Sequence, residues 1–175
     1  MRTSNTPIVA IAGVGNLLRS DDGVGIHAIQ LLQQTPCAGV DIVEVGTAAL
    51  HAVGCLAPAW RVLLLDAVQA GEPPGTVYCF DPDSRCRNPQ SLSVHALGVL
   101  EAFALLSPER QPRFTVLGVE PGSLDYGLTL TPPVTAALPR LVAEARSIVQ
   151  RWLGEMNPGG KPGRSPGTRK QGIAT

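Results

Sequence analysis

The run Ile8-Val9-Ala10-Ile11-Ala12-Gly13-Val14 is apolar at every position and stands between Pro7 and Gly15. A run without alternation suits a strand covered on both faces, as in a parallel sheet. Beyond a loop from Gly15 to Gly25, Ile26, Ile29, Leu31 and Leu32 recur at helical spacing, and Thr35-Pro36 ends the pattern. Residues 40–45 (VDIVEV) alternate as a strand, and Thr47 is placed to cap a short helix holding Leu50, Val53 and Leu56. Arg61 to Asp66 is a third strand, apolar inside until Asp66. A turn over 70–76 (AGEPPGT) leads to a fourth strand, Thr76 to Phe80. Because only a turn separates it from the third, it is expected to run antiparallel. Residues 81–92 read as polar loop. Ser93 is placed to cap a helix of Leu97, Leu100, Phe103, Ala104 and Leu106, closed by Ser107-Pro108. Phe114 to Val119 is a fifth strand. Thr131-Pro132 opens a last helix with the stripe Val134, Leu138, Leu141, Ala145, Ile148 and Trp152. Pro139 interrupts that stripe, which predicts a kink there or a start later than Pro132.

Strands alternating with helices predict an α/β domain with a twisted, mostly parallel five-stranded sheet and helices on both faces. No internal repeat is found. In such a fold ligands bind outside the carboxyl ends of the strands, where the strand order reverses. Reactive side chains just after strands are therefore the ones to weigh.

Composition narrows the picture. A chain of 175 residues with 44% hydrophobic residues has material for one core and one domain. All 14 acids lie before residue 157 and four of the 14 bases lie after it, so the body carries −4 and the tail +4. The domain is thus expected over residues 1–156, with 157–175 a basic, Gly/Pro-rich disordered tail. A body without basic excess argues against nucleic acid as partner. The apolar runs are far shorter than the roughly 20 residues a membrane span needs. The N-terminus lacks the apolar core of a signal peptide, so the expected location is cytoplasmic. Cys37, Cys55, Cys79 and Cys86 show no C-x-x-C spacing and are read as reduced, semi-buried small residues.

Three places carry candidate chemistry. Asp21 and Asp22 follow the first strand, Asp66 ends the third, and His95 starts the helix after the fourth. Two carboxylates and one imidazole converging at one rim would leave a coordination position open on zinc or nickel. Each residue also has a plainer reading. Asp21 or Asp22 could cap the following helix, Asp66 could serve a turn, and His95 could be an ordinary surface histidine. His27 and His51 fall inside helical patterns and are read as structural.

Other motifs are weaker. Gly13-x-Gly15 lacks the third glycine of a dinucleotide fingerprint, since position 18 is Leu, and Glu44 comes late for the ribose acid. Gly163-Arg164-Ser165-Pro166-Gly167 matches G-x-S-x-G but has no strand–turn–helix context.

The segments Gly13-Val14-Gly15-Asn16-Leu17-Leu18, Asp21-Asp22-Gly23-Val24-Gly25, Val45-Gly46-Thr47, Leu65-Asp66-Ala67 and Ser93-Val94-His95-Ala96-Leu97-Gly98 together resemble the hydrogenase maturation protease family. Pro74-Gly75-Thr76, Leu117-Gly118-Val119-Glu120 and Leu130-Thr131-Pro132 extend the resemblance, which runs from about Ile8 to Leu153. It implies an endopeptidase that trims the C-terminal extension of a nickel-containing hydrogenase large-subunit precursor. It also implies that Asp22, Asp66 and His95 bind metal. The metal is implied to be nickel carried by the substrate as a recognition tag, with zinc or cadmium as surrogates. Glu44, Gly46 and Thr47 are the implied substrate contacts, and a monomer is implied. No nucleophile is assigned. Two departures stand out. Glu44-Val45-Gly46-Thr47 replaces the Asp-Gly-Gly-Thr of many members, and His95-Ala96-Leu97 replaces a frequent His-Gln-Leu. The first motivates an alternative, a nickel-dependent docking module that holds the precursor without cutting it.

Overall fold

The computed structural model describes residues 8–82 and 93–156. Five strands form one sheet: β1 (Ile8–Val14), β2 (Val40–Gly46), β3 (Ala59–Ala67), β4 (Val77–Phe80) and β5 (Arg113–Val119). Their order is β2-β1-β3-β5-β4. All neighbours are parallel except β4, which runs antiparallel to β5. β4 is antiparallel, as its short connection suggests, yet its partner is β5 and not β3. The parallel pairing of β5 with β3 over Arg61–Ala67 occupies that edge and pushes β4 outward.

Helices cover both faces. Helices α1 (Val24–Gln34) and α4 (Pro132–Glu155) pack on one, and α2 (Ala49–Leu56) and α3 (Val94–Ala104) on the other. Alternate residues of one strand feed the two cores: Val9 and Ile11 face α1 and α4, while Ala10, Ala12 and Val14 face α2 and α3. This explains why β1 and β3 read as unbroken apolar runs. Phe103 and Phe114 meet edge-on at 5.1 Å in the second core. Helix α4 starts at Pro132 and continues through Pro139, so the later start is not observed. The stripe Val134, Leu141, Ala145, Ile148 and Trp152 stays buried on both sides of the proline, and that packing outweighs one lost helical hydrogen bond.

Several local expectations change. Thr47 does not cap α2; Ala48 precedes the helix and no side chain caps it. Cys55 and Cys79 are exposed and Cys37 is half-buried, so two of them are not core fillers, and Cys86 lies outside the described residues. The tail from residue 157 also lies outside them. No described helix is long and apolar enough to cross a membrane.

The strand order reverses between β1 and β3, so the crevice lies at their carboxyl ends. Helix α1 starts directly over it. A Cβ on Gly25 would collide with the carbonyl oxygens of Leu65 and Val14, so glycine there lets the helix sit down on both strands. Gly15 has φ +125°, where L side chains are strained, and a Cβ there would strike the Asp22 carbonyl. These glycines serve close backbone contact. Gly25→Ala should therefore cost about 3 kcal/mol in urea unfolding, at the upper end of overpacking penalties. A loss below about 0.5 kcal/mol would contradict the close approach.

Candidate active site at the reversal of strand order

Asp66 lies one residue before the end of β3 and is completely buried. Its neighbours Leu65 and Ala67 point to the α1 and α4 side, so Asp66 points toward α2 and α3. There its Oδ2 accepts a hydrogen bond from the Ser93 hydroxyl, and its Oδ1 accepts from the Ala67 amide at 2.8 Å. Burial pushes its carboxyl up to about 7, against the pull of Ser93, Ala67 and His95; nearby Asp22 adds to the rise.

Ser93 is the N-cap of α3, as its place in the sequence predicts, and its oxygen accepts from the His95 and Ala96 amides. One hydroxyl thus fixes the start of α3 and holds Asp66. That second role is invisible locally, because Asp66 lies 27 residues earlier.

His95 stands in the first turn of α3, and its Nε2 lies 3.0 Å from Asp22 Oδ2. Asp22 comes from the 3-10 turn Ser20–Gly23 that leads into α1, so this bridge joins elements packed on opposite faces of the sheet. The bond to Asp22 raises the His95 pKa; burial opposes it, Asp22 and Asp66 add negative charge, and Arg19 opposes. Nothing in the sequence pattern singles out Arg19. Its Nε donates to the Leu124 carbonyl at 3.0 Å.

Asp21 is not a helix cap. Its carboxylate is fully buried and accepts from the amides of Gly122, Ser123 and Thr131 and from the Thr131 hydroxyl, at 2.7 to 3.0 Å. Thr131 precedes α4, but its hydroxyl goes to Asp21 and caps nothing. Glu120 acts similarly just after β5. It accepts from Ala70 and Gly71 amides and from the Tyr78 hydroxyl. Burial works against ionisation of Glu120, yet these bonds together hold its carboxyl below the ordinary range.

Glu44, Gly46 and Thr47 sit at the end of β2. Val43 and Val45 pack toward α2 and α3, so Glu44 points to the other face, away from the side Asp66 takes, and is exposed. Gly46 has φ +61° and its carbonyl accepts from Gly15 N at 3.1 Å. Thr47 is exposed. Asp22, Asp66 and His95 are thus gathered, and Glu44 is not bonded to them. Of the other histidines, His51 contacts the exposed Cys55 at 3.4 Å along α2. Among the described residues no three His, Cys, Asp or Glu side chains form a preformed metal cage. The reason lies in the bonds above: Asp66 is turned to Ser93 and Ala67, and Asp22 and His95 are turned to each other.

A family model described as hydrogenase maturation protease matches residues 26–148. The chain belongs to the hydrogenase maturation protease family. This protease resembles the hydrogenase expression/formation protein HoxM of Cupriavidus necator, at 30% identity, with 84% of this chain and 76% of the relative covered. It is 29% identical to the hydrogenase 2 maturation protease of Escherichia coli, with 74% and 83% covered. The solved structure of the hydrogenase maturating endopeptidase HybD from E. coli superposes with a TM-score of 0.74 at 26% identity, over 83% of this chain and 93% of that one. The protease therefore belongs to a family of peptidases on this fold. The family match includes Asp66 and His95 and begins after Asp22, whose place in the site rests on its bond to His95.

Ser93→Ala removes a bond that lowers the Asp66 pKa. The Asp66 titration, followed by carboxyl carbon NMR, should move to higher pH. The lost cap and hydroxyl should cost about 1–2 kcal/mol of stability. An unchanged or lower midpoint would contradict the assignment of Ser93.

Proposed function

We propose that this protease removes the C-terminal extension of a hydrogenase large-subunit precursor and engages nickel carried by that precursor through Asp22, Asp66 and His95. One observation carries the reading: two buried carboxylates and an imidazole, from three separate segments, meet where the strand order reverses. Carboxylate oxygens and an imidazole nitrogen suit a borderline divalent ion. The nickel belongs to the substrate, and the protein supplies donors that open when the substrate arrives. A dication beside the scissile bond supplies Lewis-acid polarisation of its carbonyl. Ser93 is not offered as the nucleophile, because its hydroxyl donates to Asp66 and accepts from two amides.

Donors must lose their protons to bind a metal. Asp66 releases its proton near pH 7, and His95 holds its proton above its ordinary 6.5. Engagement of nickel therefore strengthens as the pH rises through about 7 and weakens below it.

Purified protein incubated with nickel-loaded and nickel-free precursor should cut only the loaded form, and faster at pH 8 than at pH 6. Equal cutting of both forms would overturn the recognition role of nickel. Binding of the loaded form with its extension left intact would favour the docking alternative. Asp66→Asn should slow processing at least ~100-fold, since even partners behind a metal ligand are worth about 10–100-fold. Wild-type processing by that variant would remove Asp66 from the site.

A further inference from the structure

Exposed large apolar side chains are not spread evenly over the molecule. Of the eight among the described residues, six lie at the end of the sheet that carries Asp22, Asp66 and His95. They are Leu18, Leu50, Val94, Leu97, Tyr126 and Leu128, with Tyr126 91%, Leu50 78% and Val94 77% exposed. The other two, Leu31 and Leu105, sit near the C-terminal ends of α1 and α3. Single exposed leucines need no explanation, but a cluster about a polar centre marks an interaction surface.

The six divide into two halves. Leu50 lies in the first turn of α2, and Val94 and Leu97 stand three apart on the outer side of α3, flanking His95. Leu18, Tyr126 and Leu128 belong to loops that lead toward α1 and α4 on the opposite face. The second half is held rigidly. The Gly127 amide donates to the Leu18 carbonyl at 3.0 Å, and the Ser20 amide to the Gly127 carbonyl at 2.9 Å. Arg19 Nε ties the same loop to Leu124, and Asp21 clamps its two ends. The His95–Asp22 bridge joins the elements that carry the two halves.

We propose that these six side chains form a two-sided apolar collar that grips the precursor polypeptide on either side of the bond to be cut. The inference rests on the function proposed above and names how its substrate is held. The occupant follows from the place of the surface: a polypeptide with apolar side chains on both flanks of a centre that meets Asp22, Asp66 and His95, the residues proposed above to engage the precursor's nickel. A collar already fixed by backbone bonds loses little freedom on binding, which favours affinity. A lipid surface fits poorly, because anionic membranes are met by clusters of basic residues, whereas the loop from Gly15 to Gly25 carries one base, Arg19, against two acids, Asp21 and Asp22.

The test is the KM for nickel-loaded precursor, with its Kd measured in parallel by surface-immobilised binding. The double variants Leu18→Ser/Tyr126→Ser and Leu50→Ser/Val94→Ser should each raise both constants at least tenfold. Leu31→Ser and Leu105→Ser should leave them within twofold. Thermal midpoints should stay within about 3 °C of the wild type, as expected for exposed positions; should a double variant fold poorly, Tyr126→Ser alone should still raise KM several-fold. Cutting by the wild type with unchanged constants in the collar variants would overturn the collar and leave the protease reading standing. Binding without cutting, weakened by the collar variants, would support the collar and overturn the cleavage reading. Neither binding nor cutting by the wild type would overturn both. A wild-type dimer in light scattering that the collar variants dissociate would reassign the surface to self-association.

Discussion

A carboxylate buried at the end of an apolar strand must find hydrogen-bond donors or keep its proton. Among the described residues the buried polar side chains are Asp21, Asp22, Asp66 and Glu120, and all four lie at the carboxyl ends of β1, β3 and β5 or just beyond. None is left unsatisfied. The donors they recruit differ. Asp21 and Glu120 take mostly backbone amides from distant loops, which fastens residues 122–131 and 70–71 to the sheet. Asp22 and Asp66 take side chains, His95 and Ser93, from the start of one helix. The first pair builds the rim. The second pair is held chiefly by side chains, Asp66 also by the amide of its neighbour Ala67, and displacing those partners would not unravel a loop.

The topology decides which carboxylates meet. A parallel sheet sends every strand end to one rim, and the reversal between β1 and β3 leaves a gap there for α1 to enter. Gly25 lets α1 rest on the Val14 and Leu65 carbonyls, which brings Asp22 in from one face. The alternation of β3 turns Asp66 to the other face, where α3 brings Ser93 and His95. The family match spans the segments that carry Asp66 and His95.

Much of this was legible in the sequence because it is local. Unbroken apolar runs marked β1 and β3, the strand-end position singled out Asp66, and Ser93 two residues before His95 marked a helix start. What escaped is long-range. Asp21 looks like a cap until Gly122, Ser123 and Thr131 arrive, some hundred residues later in the chain. The partner of β4 depended on where β5 inserts, which no local pattern encodes. Pro139 and the exposed Cys55 and Cys79 show tertiary packing overriding residue-type preference in both directions.

The division of the four carboxylates into rim builders and reactive groups is the central claim, and unfolding free energy measured against pH tests it most directly. The folded-state pKa of Asp66, about 7, lies above its ordinary 3.8, so the folded protein binds that proton more tightly. Its contribution is present below about pH 4 and is lost as the pH rises toward 7. Asp66→Asn should therefore match the wild type near pH 4 and exceed it at pH 8, by on the order of 2 kcal/mol. Asp21→Asn should lose about 2 kcal/mol or more at every pH from 5 to 8, as a broken set of charge-assisted bonds would. Equal destabilisation by both variants at pH 8 would contradict the account.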